Sequence, residues 1–250
     1  MRILAILFML FTGFTTLSCA ATFEEANEML HAGNAAAAAA AYEQFIAQGI
    51  QSSAVYANLG RALQQQGKIA TASLNYQRAL MLDPRRQEAR QGLVELGEKI
   101  GLPAFPPRWS DPVVARVSLF SLLIAGGVFF WGGAIVLIAI IFRNPRKLSS
   151  LILSICCLGT GVLLLGIGRW GDPRVADANL AIVTADLGSS ALSQPVETSA
   201  AVGSLPPGSP VIVLSEQDKW NYCRLPSGTM GWIPASSLSF VNPDHMPDRS

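Results

Sequence analysis

The sequence is poor in the residues that most enzymes use for chemistry. Only 14% of its 250 residues are charged, and only two, His31 and His245, are histidines. Neither histidine lies at a recognisable catalytic spacing from a serine, a cysteine or a carboxylate, and no Gly-rich phosphate-binding motif is present. Basic and acidic residues are interspersed at a net charge of +1, whereas nucleic-acid binding calls for a clustered basic face. We therefore expect neither an enzyme nor a nucleic-acid-binding protein.

Cysteine is also scarce, with four residues in the chain. Cys19 lies near the N-terminus, Cys156 and Cys157 lie inside an apolar run, and Cys223 lies alone in a more polar region. No paired CxxC spacing is present, so the sequence predicts no disulfide framework, no metal site and no cofactor. If residues 220–225 form a strand, Cys223 and Leu225 share one face and Trp220, Tyr222 and Arg224 share the other. The simplest interpretation of Cys223 is then a small core residue.

Residues 1–20 have the layout of a secretory signal peptide. Arg2 precedes an apolar run over residues 3–14, and the small residues Ser18, Cys19 and Ala20 follow. This layout predicts cleavage after Ala20, with lipidation of Cys19 as the alternative. In both cases the residues that follow are exported.

Two later stretches contain no charged residue, and they cover residues 117–142 and 148–168. As helices they would be ~39 Å and ~31 Å long, against ~30 Å for the hydrocarbon core of a bilayer. We predict transmembrane helices at 113–142 and 148–168. Both contain several glycines, and small residues let membrane helices pack closely, so we expect a hairpin that packs on itself.

The loop at 143–147 contains only basic charges, from Arg143, Arg146 and Lys147. Cytoplasmic loops carry an excess of lysine and arginine, so this loop is predicted to lie in the cytoplasm. Everything before the first span and after the second then lies outside. The sequence thus predicts a bacterial inner-membrane protein with both soluble domains in the periplasm.

Residues 22–100 are self-similar at one period. Gly33, Ala38 and Tyr42 recur 34 residues later as Gly67, Ala72 and Tyr76. A period of 34 residues is typical of tetratricopeptide repeats, which are pairs of antiparallel helices. The second copy carries the remaining motif residues Tyr56, Leu59, Gly60, Leu63, Ala79 and Pro84. We predict repeats at about 19–52 and 53–86, a capping helix at 87–100 and a Pro-rich linker at 101–112.

A candidate peptide-binding surface follows from the first helix of the second repeat. Tyr56, Leu59 and Leu63 mark the packed side of that helix, and the other side carries Asn58, Arg61 and Gln65. In tetratricopeptide folds the latter side lines a concave groove, where these residues would hydrogen-bond an extended peptide. The alternative is a solvated helix face with no ligand.

Residues 178–240 change to short β-type runs separated by Gly- and Pro-rich turns, which predicts a small all-β barrel. The run "GSLPPGSPVIVLSEQDKWNYCRLPSGTMGWIPASSL" resembles bacterial SH3 domains, above all in its closing Gly231-Trp232-Ile233-Pro234. Trp220, Tyr222 and Trp232 are predicted either to form an aromatic ligand-binding strip or to pack the barrel. Residues 241–250 are predicted to be a polar tail.

The order of signal peptide, helical repeats, membrane hairpin and SH3-like barrel resembles the BatE-like family of the bacterial Bat aerotolerance operon. That resemblance implies an inner-membrane scaffold that works with other Bat proteins carrying von Willebrand A domains and with a MoxR-type ATPase. The alternative is a cell-wall-associated sensor whose SH3-like barrel binds peptidoglycan peptides.

Overall fold

The computed structural model describes residues 22–101, 103, 117–143, 148–170 and 178–242. The predicted signal peptide, most of the Pro-rich linker, loop residues 144–147 and the tail from 243 onward lie outside the described residues. The described part contains seven α-helices and one seven-stranded antiparallel sheet. The helices are α1 (Phe23–His31), α2 (Ala35–Ala47), α3 (Ser53–Gln65), α4 (Ile69–Leu82), α5 (Gln87–Ile100), α6 (Leu119–Arg143) and α7 (Leu148–Trp170).

Side-chain caps fix where the first three helices begin. Thr22 and Glu25 form a reciprocal capping box at α1, and Asn34 and Ser52 each accept a backbone N–H at the starts of α2 and α3. These oxygens satisfy donors that a helix leaves free at its N-terminus. Helices α1 to α5 pack as a stack of antiparallel neighbours, called here the helical domain (residues 22–101).

The 34-residue period of the sequence is present in the backbone of the helical domain. Helices α2 and α4 begin 34 residues apart, and each is preceded by a glycine with positive φ, Gly33 at 80° and Gly67 at 75°. The turn hydrogen bonds repeat as well, from Asn34 N to Met29 O and from Lys68 N to Leu63 O. The α1–α2 and α3–α4 pairs therefore share one turn geometry, which a left-handed residue makes possible.

Tyr76 of α4 fixes the close approach of three helices. Its ring lies between Gly60 of α3 and Gly92 of α5, where an added Cβ would lie 2.7 Å and 2.3 Å from ring atoms. The side chain is 2% exposed, and its hydroxyl donates to Gln64 Oε1 at 2.6 Å. Burial raises the pKa of the Tyr76 phenol. Glycine is needed at both positions because any side chain would displace the ring.

Helices α6 and α7 pack on each other as an antiparallel hairpin, called here the apolar hairpin. Each contains a segment long and apolar enough to cross a membrane, Phe120–Ile140 and Ser149–Arg169, and few residues of either segment are buried. The helices approach closely at Gly161, which faces the Phe130 backbone, and Ser154 Oγ donates to Gly133 O at 2.7 Å. The predicted start at residue 113 differs from the observed start at Leu119, and residues 113–116 lie outside the described part.

Residues 178–242 form the second folded unit, called here the sheet domain. Its strands are β1 (Leu180–Val183), β2 (Ser189–Leu192), β3 (Ala201–Leu205), β4 (Pro210–Gln217), β5 (Trp220–Arg224), β6 (Met230–Pro234) and β7 (Leu238–Phe240). They pair in the order β3-β2-β6-β5-β4-β1-β7, and all pairs are antiparallel. One core contains residues from every strand, including Leu205 and Leu238 at the two ends of the order. The sheet therefore curves around a single core.

Strand β1 is buried on both faces. Ala181 and Val183 point into the core of the sheet domain, whereas Leu180 and Ile182 contact a second cluster that includes Leu74 of α4. Successive side chains of a strand point to opposite faces, so two-sided burial requires a cover on each side. The helical domain supplies that second cover.

The contact between the two domains combines apolar packing with hydrogen bonds. Its apolar cluster contains Leu74, Met81, Leu180, Ile182 and Val241, with Ile212 packed against it. Ser73 Oγ, fully buried, donates to Gly208 O at 2.8 Å. Arg78 donates from Nε to Val241 O and from Nη2 to Phe240 O, both at 3.3 Å. Burial lowers the pKa of the Arg78 guanidinium.

Val241 departs from the sequence prediction, which placed it in a polar tail. Its backbone N–H donates to Leu180 O at 2.9 Å, and its side chain is 1% exposed in the cluster between the domains. The chain thus continues to pair with β1 beyond the end of β7. The apolar side chain of Val241 packs there against Leu74 and Met81 of the helical domain.

Replacing Gly60 with leucine should destabilise the helical domain by about 1–3 kcal/mol, because the new side chain must displace the trapped Tyr76 ring. The measurement is pulse proteolysis of the full-length chain across a urea series. Gln65→Leu, exposed on the same helix, is the control and should change stability by about 0.5 kcal/mol or less. Equal unfolding midpoints for the two variants would contradict the assigned helix register.

Replacing Leu74 with aspartate should separate the two domains, because it places a charge in the apolar cluster without touching the core of the helical domain. Thr71 and Asp186 line one small cleft between the domains, so cysteines placed at both should be joined by a short cross-linker. A protease site inserted between residues 104 and 116 makes the link visible, since cleaved fragments stay joined.

In this assay Leu74→Asp should abolish the link between the fragments. Leu214→Asp, at an exposed apolar position of β4, is the matched control and should leave the link intact. Efficient linking in the Leu74→Asp chain would mean that the contact does not hold the domains together.

Candidate peptide-binding surfaces

A polar cleft of about 370 Å³ lies between α3 and α5 of the helical domain. Two of the predicted site residues, Arg61 and Gln65, line it and are exposed. The remaining lining residues are Gln64, Tyr76, Glu88, Gln91, Gly92, Glu95 and Lys99. Helix α5 therefore supplies about half of this surface, although its sequence pattern predicted only a capping role.

The floor of the cleft is held in place by a chain of hydrogen bonds. The Tyr76 hydroxyl donates to Gln64 Oε1, and Gln64 Nε2 donates to Glu95 Oε2 at 3.0 Å. Both functions of the Gln64 amide are thereby used, so its orientation is fixed. Charges of both signs surround this floor, with Arg61 and Lys99 opposed by glutamates. Such a cleft is suited to a polar segment that carries both charges and not to a simple anion.

Asn58, the third predicted residue of this group, does not line the cleft between α3 and α5. It lies where α3 meets α1, half-buried, and its Nδ2 donates to Asn27 Oδ1 at 2.8 Å. The Tyr42 hydroxyl donates to the same Asn27 oxygen at 2.7 Å, and burial raises the pKa of that phenol. An asparagine amide offers both donors and an acceptor. The Asn27–Asn58 pair can therefore pair with the backbone of an extended chain.

The 34-residue period could have identified the residues that the sequence analysis missed. Applied to Arg61 it gives Asn27 and Glu95, and applied to Gln65 it gives His31 and Lys99. Of these, Asn27, Glu95 and Lys99 are the residues that the structure places beside the predicted ones. Applied to the polar face, the repeat period therefore predicts these three residues, but it does not predict Glu88 and Gln91, which also line the cleft.

On the sheet domain, the three predicted aromatic residues share one outer face. Tyr222 of β5 lies directly opposite Trp232 of β6, with ring centroids 5.0 Å apart and an angle of 42° between the planes. Trp220 lies two residues before Tyr222 and pairs with Pro234. All three aromatic side chains are partly exposed, and none belongs to the core cluster. Together with Pro234 they form a surface called here the aromatic face.

The opposite face of the same two strands forms the core. Cys223 and Ile233 are fully buried there. Burial raises the pKa of the Cys223 thiol to about 12, so it stays protonated and unreactive near neutral pH. Cys223 is thus a small core residue, as the strand alternation predicted.

A shallow depression of about 490 Å³ adjoins the aromatic face at the β4–β5 turn. It is lined by Pro195, Gln217, Asp218, Lys219 and Trp220. Trp220 thus belongs both to the aromatic face and to the edge of this depression. Such a surface offers apolar stacking area beside one acidic and one basic group, which suits a short peptide more than a single ion.

Among the described residues, no group of three or more His, Cys, Asp or Glu side chains is arranged to hold a metal ion. No known protein-family model, curated protein or solved structure matches the chain. The cleft offers hydrogen-bonding groups to an extended peptide, and the aromatic face offers stacking area.

Proposed function

We propose that the chain is a membrane-anchored scaffold that presents two peptide-binding surfaces on the periplasmic side of a bacterial inner membrane. In this proposal the helical domain is a pair of tetratricopeptide repeats with a capping helix, and the sheet domain is a bacterial SH3-like barrel. The repeated turn geometry at Gly33 and Gly67 supports the first assignment. The closing Gly231–Pro234 run and the curved sheet support the second.

The observation that carries the proposal is the way the domains contact each other. They meet through the outer face of α4 and strand β1, so the cleft between α3 and α5 is not used by the contact. The aromatic face on β5 and β6 is likewise left open. One folded body thus offers two separate surfaces, an arrangement expected of a scaffold.

The same contact supports the topology. The helical domain precedes the apolar hairpin in the chain and the sheet domain follows it, yet the two domains bury each other's side chains. Two domains on opposite sides of a bilayer could not make this contact. With both on one side, α6 and α7 cross the membrane once each, and the basic loop favours the cytoplasm for the turn between them.

The proposed partners follow from the resemblance to the BatE-like family. They are membrane proteins with von Willebrand A domains, together with a MoxR-type ATPase. A two-repeat groove is shallow, so each surface alone should bind modestly. If one partner engages both surfaces, the fixed spacing raises apparent affinity by about 10²–10⁴-fold when the geometry permits.

The aromatic face also favours a second candidate function, that of a cell-wall sensor. The tilted Tyr222 and Trp232 rings beside Pro234 can bind the short peptides of peptidoglycan through apolar contact. The two functions differ in which surface carries the ligand, so they can be separated by substitution.

A reporter fused after Ser250 tests the topology. A reporter that is active only in the periplasm should be active, and one that requires the cytoplasm should be silent, because two crossings return the chain to its starting side. Deleting α7 is the control and should reverse the pattern. Activity of the cytoplasmic reporter on the full-length chain would overturn the proposed location.

Photo-crosslinking in cells tests the ligand. A photoreactive residue at Arg61 or Tyr222 should capture partners that the same residue at Glu98 or Leu187, exposed but outside both surfaces, does not capture. Under the scaffold hypothesis Arg61 links to membrane proteins with von Willebrand A domains. Under the sensor hypothesis Tyr222 links to peptidoglycan fragments, and Trp232→Ala removes that link. Equal capture at all four positions would contradict both.

A further inference from the structure

The outer surface of the apolar hairpin carries a tryptophan at an unusual depth. Trp131 of α6 is 66% exposed and lies on the side away from α7. Twelve residues separate it from the end of α6 at Arg143, so it lies about 18 Å into a helix that spans about 30 Å of hydrocarbon. Tryptophan in membrane proteins is enriched at the interfaces and not at the midplane. Its indole N–H has no acceptor among the described residues.

Trp131 is the centre of a regular line of large apolar side chains. The line consists of Ile124, Val128, Trp131, Ile135 and Ile138, all more than half exposed. Their spacing alternates between four and three residues, which is the repeat that helices use to pack along their length in coiled coils. The Phe130 ring packs edge-on against the indole, with centroids 5.8 Å apart, and so helps to hold the tryptophan outward.

Helix α7 carries the complementary shape on its own outer side. Ile152, Cys156, Gly159 and Leu163 follow the same alternating spacing, and all four are exposed. The two central residues are small, and an added Cβ at Gly159 would meet nothing within 4 Å. The line therefore has a notch between two large residues. Thr160, exposed beside the notch, has a hydroxyl oxygen that can accept a hydrogen bond.

Trp131, called here the knob, and the notch at Cys156 and Gly159 lie at matching depths along the hairpin. Eleven and twelve residues separate Gly159 and Thr160 from the start of α7 at Leu148, which places them about 17–18 Å from the turn between the helices. Trp131 lies at about 18 Å by the same measure. Copies related by rotation about the membrane normal contact each other only at equal depths. The match favours a second copy of this chain over an unrelated helix.

We propose that copies of the chain associate side by side in the membrane, with Trp131 of one copy inserted into the Cys156–Gly159 notch of the next. The knob and notch lie on opposite sides of the hairpin, so the contact is head-to-tail and each copy has a free knob or notch for another. Close packing at small residues and a hydrogen bond from the indole N–H to Thr160 stabilise it, as is usual for helices in lipid. This inference rests on the proposed membrane location.

Cysteine cross-linking of the full-length chain in native membranes tests this assembly. Ile135 lies at the same depth as native Cys156, about 12 Å from the turn, so Ile135→Cys should form a disulfide with Cys156 of the neighbouring copy on mild oxidation. Cys157 and Cys223 are replaced by serine in this chain. Because the contact is head-to-tail, the product should be a ladder of dimers, trimers and larger species.

Two controls show whether the ladder depends on the cysteine at position 135. The parent chain without Ile135→Cys should give no ladder, and Val136→Cys, one residue away and off the outer line of α6, should give at least about tenfold less. Trp131→Ala and Gly159→Leu should each reduce the ladder by about tenfold, because one removes the knob and the other fills the notch. Trp131→Phe should retain part of it, since it loses the N–H but keeps a ring.

The outcomes separate this assembly from the proposed function. Carbonate extraction shows for every variant whether the chain is held in the membrane. A chain that resists extraction but gives no ladder, or only a dimer, would overturn the head-to-tail assembly and leave the scaffold intact. A chain that carbonate releases would overturn the membrane location itself.

Discussion

The fold depends on the burial of helix α4 on two faces. One face carries Ala72, Tyr76 and Ala79 into the core of the helical domain, and the other carries Leu74 and Met81 against the sheet domain. Each set is spaced at three, four or seven residues, so each forms one side of the helix. A helix that is apolar on both sides must be covered on both, and the second cover comes from residues 180 to 241, which follow the apolar hairpin in the chain. This requirement brings the two domains together despite the hairpin between them.

Much of this architecture could be predicted from the sequence because it follows from patterns among residues that are close in the chain. The 34-residue period placed the helix pairs, and the uncharged runs placed the two long helices. The alternation of Trp220, Tyr222 and Arg224 with Cys223 and Leu225 separated the outer face of β5 from its core face. Each of these signals depends on residues that are close in sequence, where helix and strand periodicities apply directly.

The contact between the domains was not predicted, for a physical reason. In the sequence, Leu74 and Met81 look like ordinary apolar residues of a helix that already has a packed side. The run Leu180–Val183 likewise resembles an ordinary strand. Their partnership is visible only in three dimensions. The sequence nevertheless contained an indication, since four consecutive apolar residues in a strand are typical of a strand that is covered on both faces. All four residues of β1 are buried. Val241 was assigned to the polar tail because the residues that follow it in the sequence are polar. Its burial depends on contact with α4, which the sequence alone does not reveal.

The three predicted binding residues of α3 do not lie on one surface. Arg61 and Gln65 share the cleft with α5, whereas Asn58 pairs with Asn27 of α1. A groove built from successive helices takes its residues from several repeats, so a single helix shows only one segment of it. Each segment depends on the second helix of its pair, since Tyr76 of α4 forms the floor of the cleft and the Tyr42 hydroxyl of α2 donates to Asn27. The groove is thus fixed from behind by the second helix of each pair.

The arrangement of α4 also links the groove to the sheet domain through one element. Tyr76 contacts the cleft, and Arg78, two residues later, donates to the backbone at residues 240 and 241 while its guanidinium lies 6.0 Å from the Tyr56 ring of α3. A helix is stiff along its length, so a shift of α4 that widened the cleft would also strain the contact with β1. Rigid spacing of the two surfaces is therefore a consequence of packing, and the linkers on either side of the hairpin need not supply it.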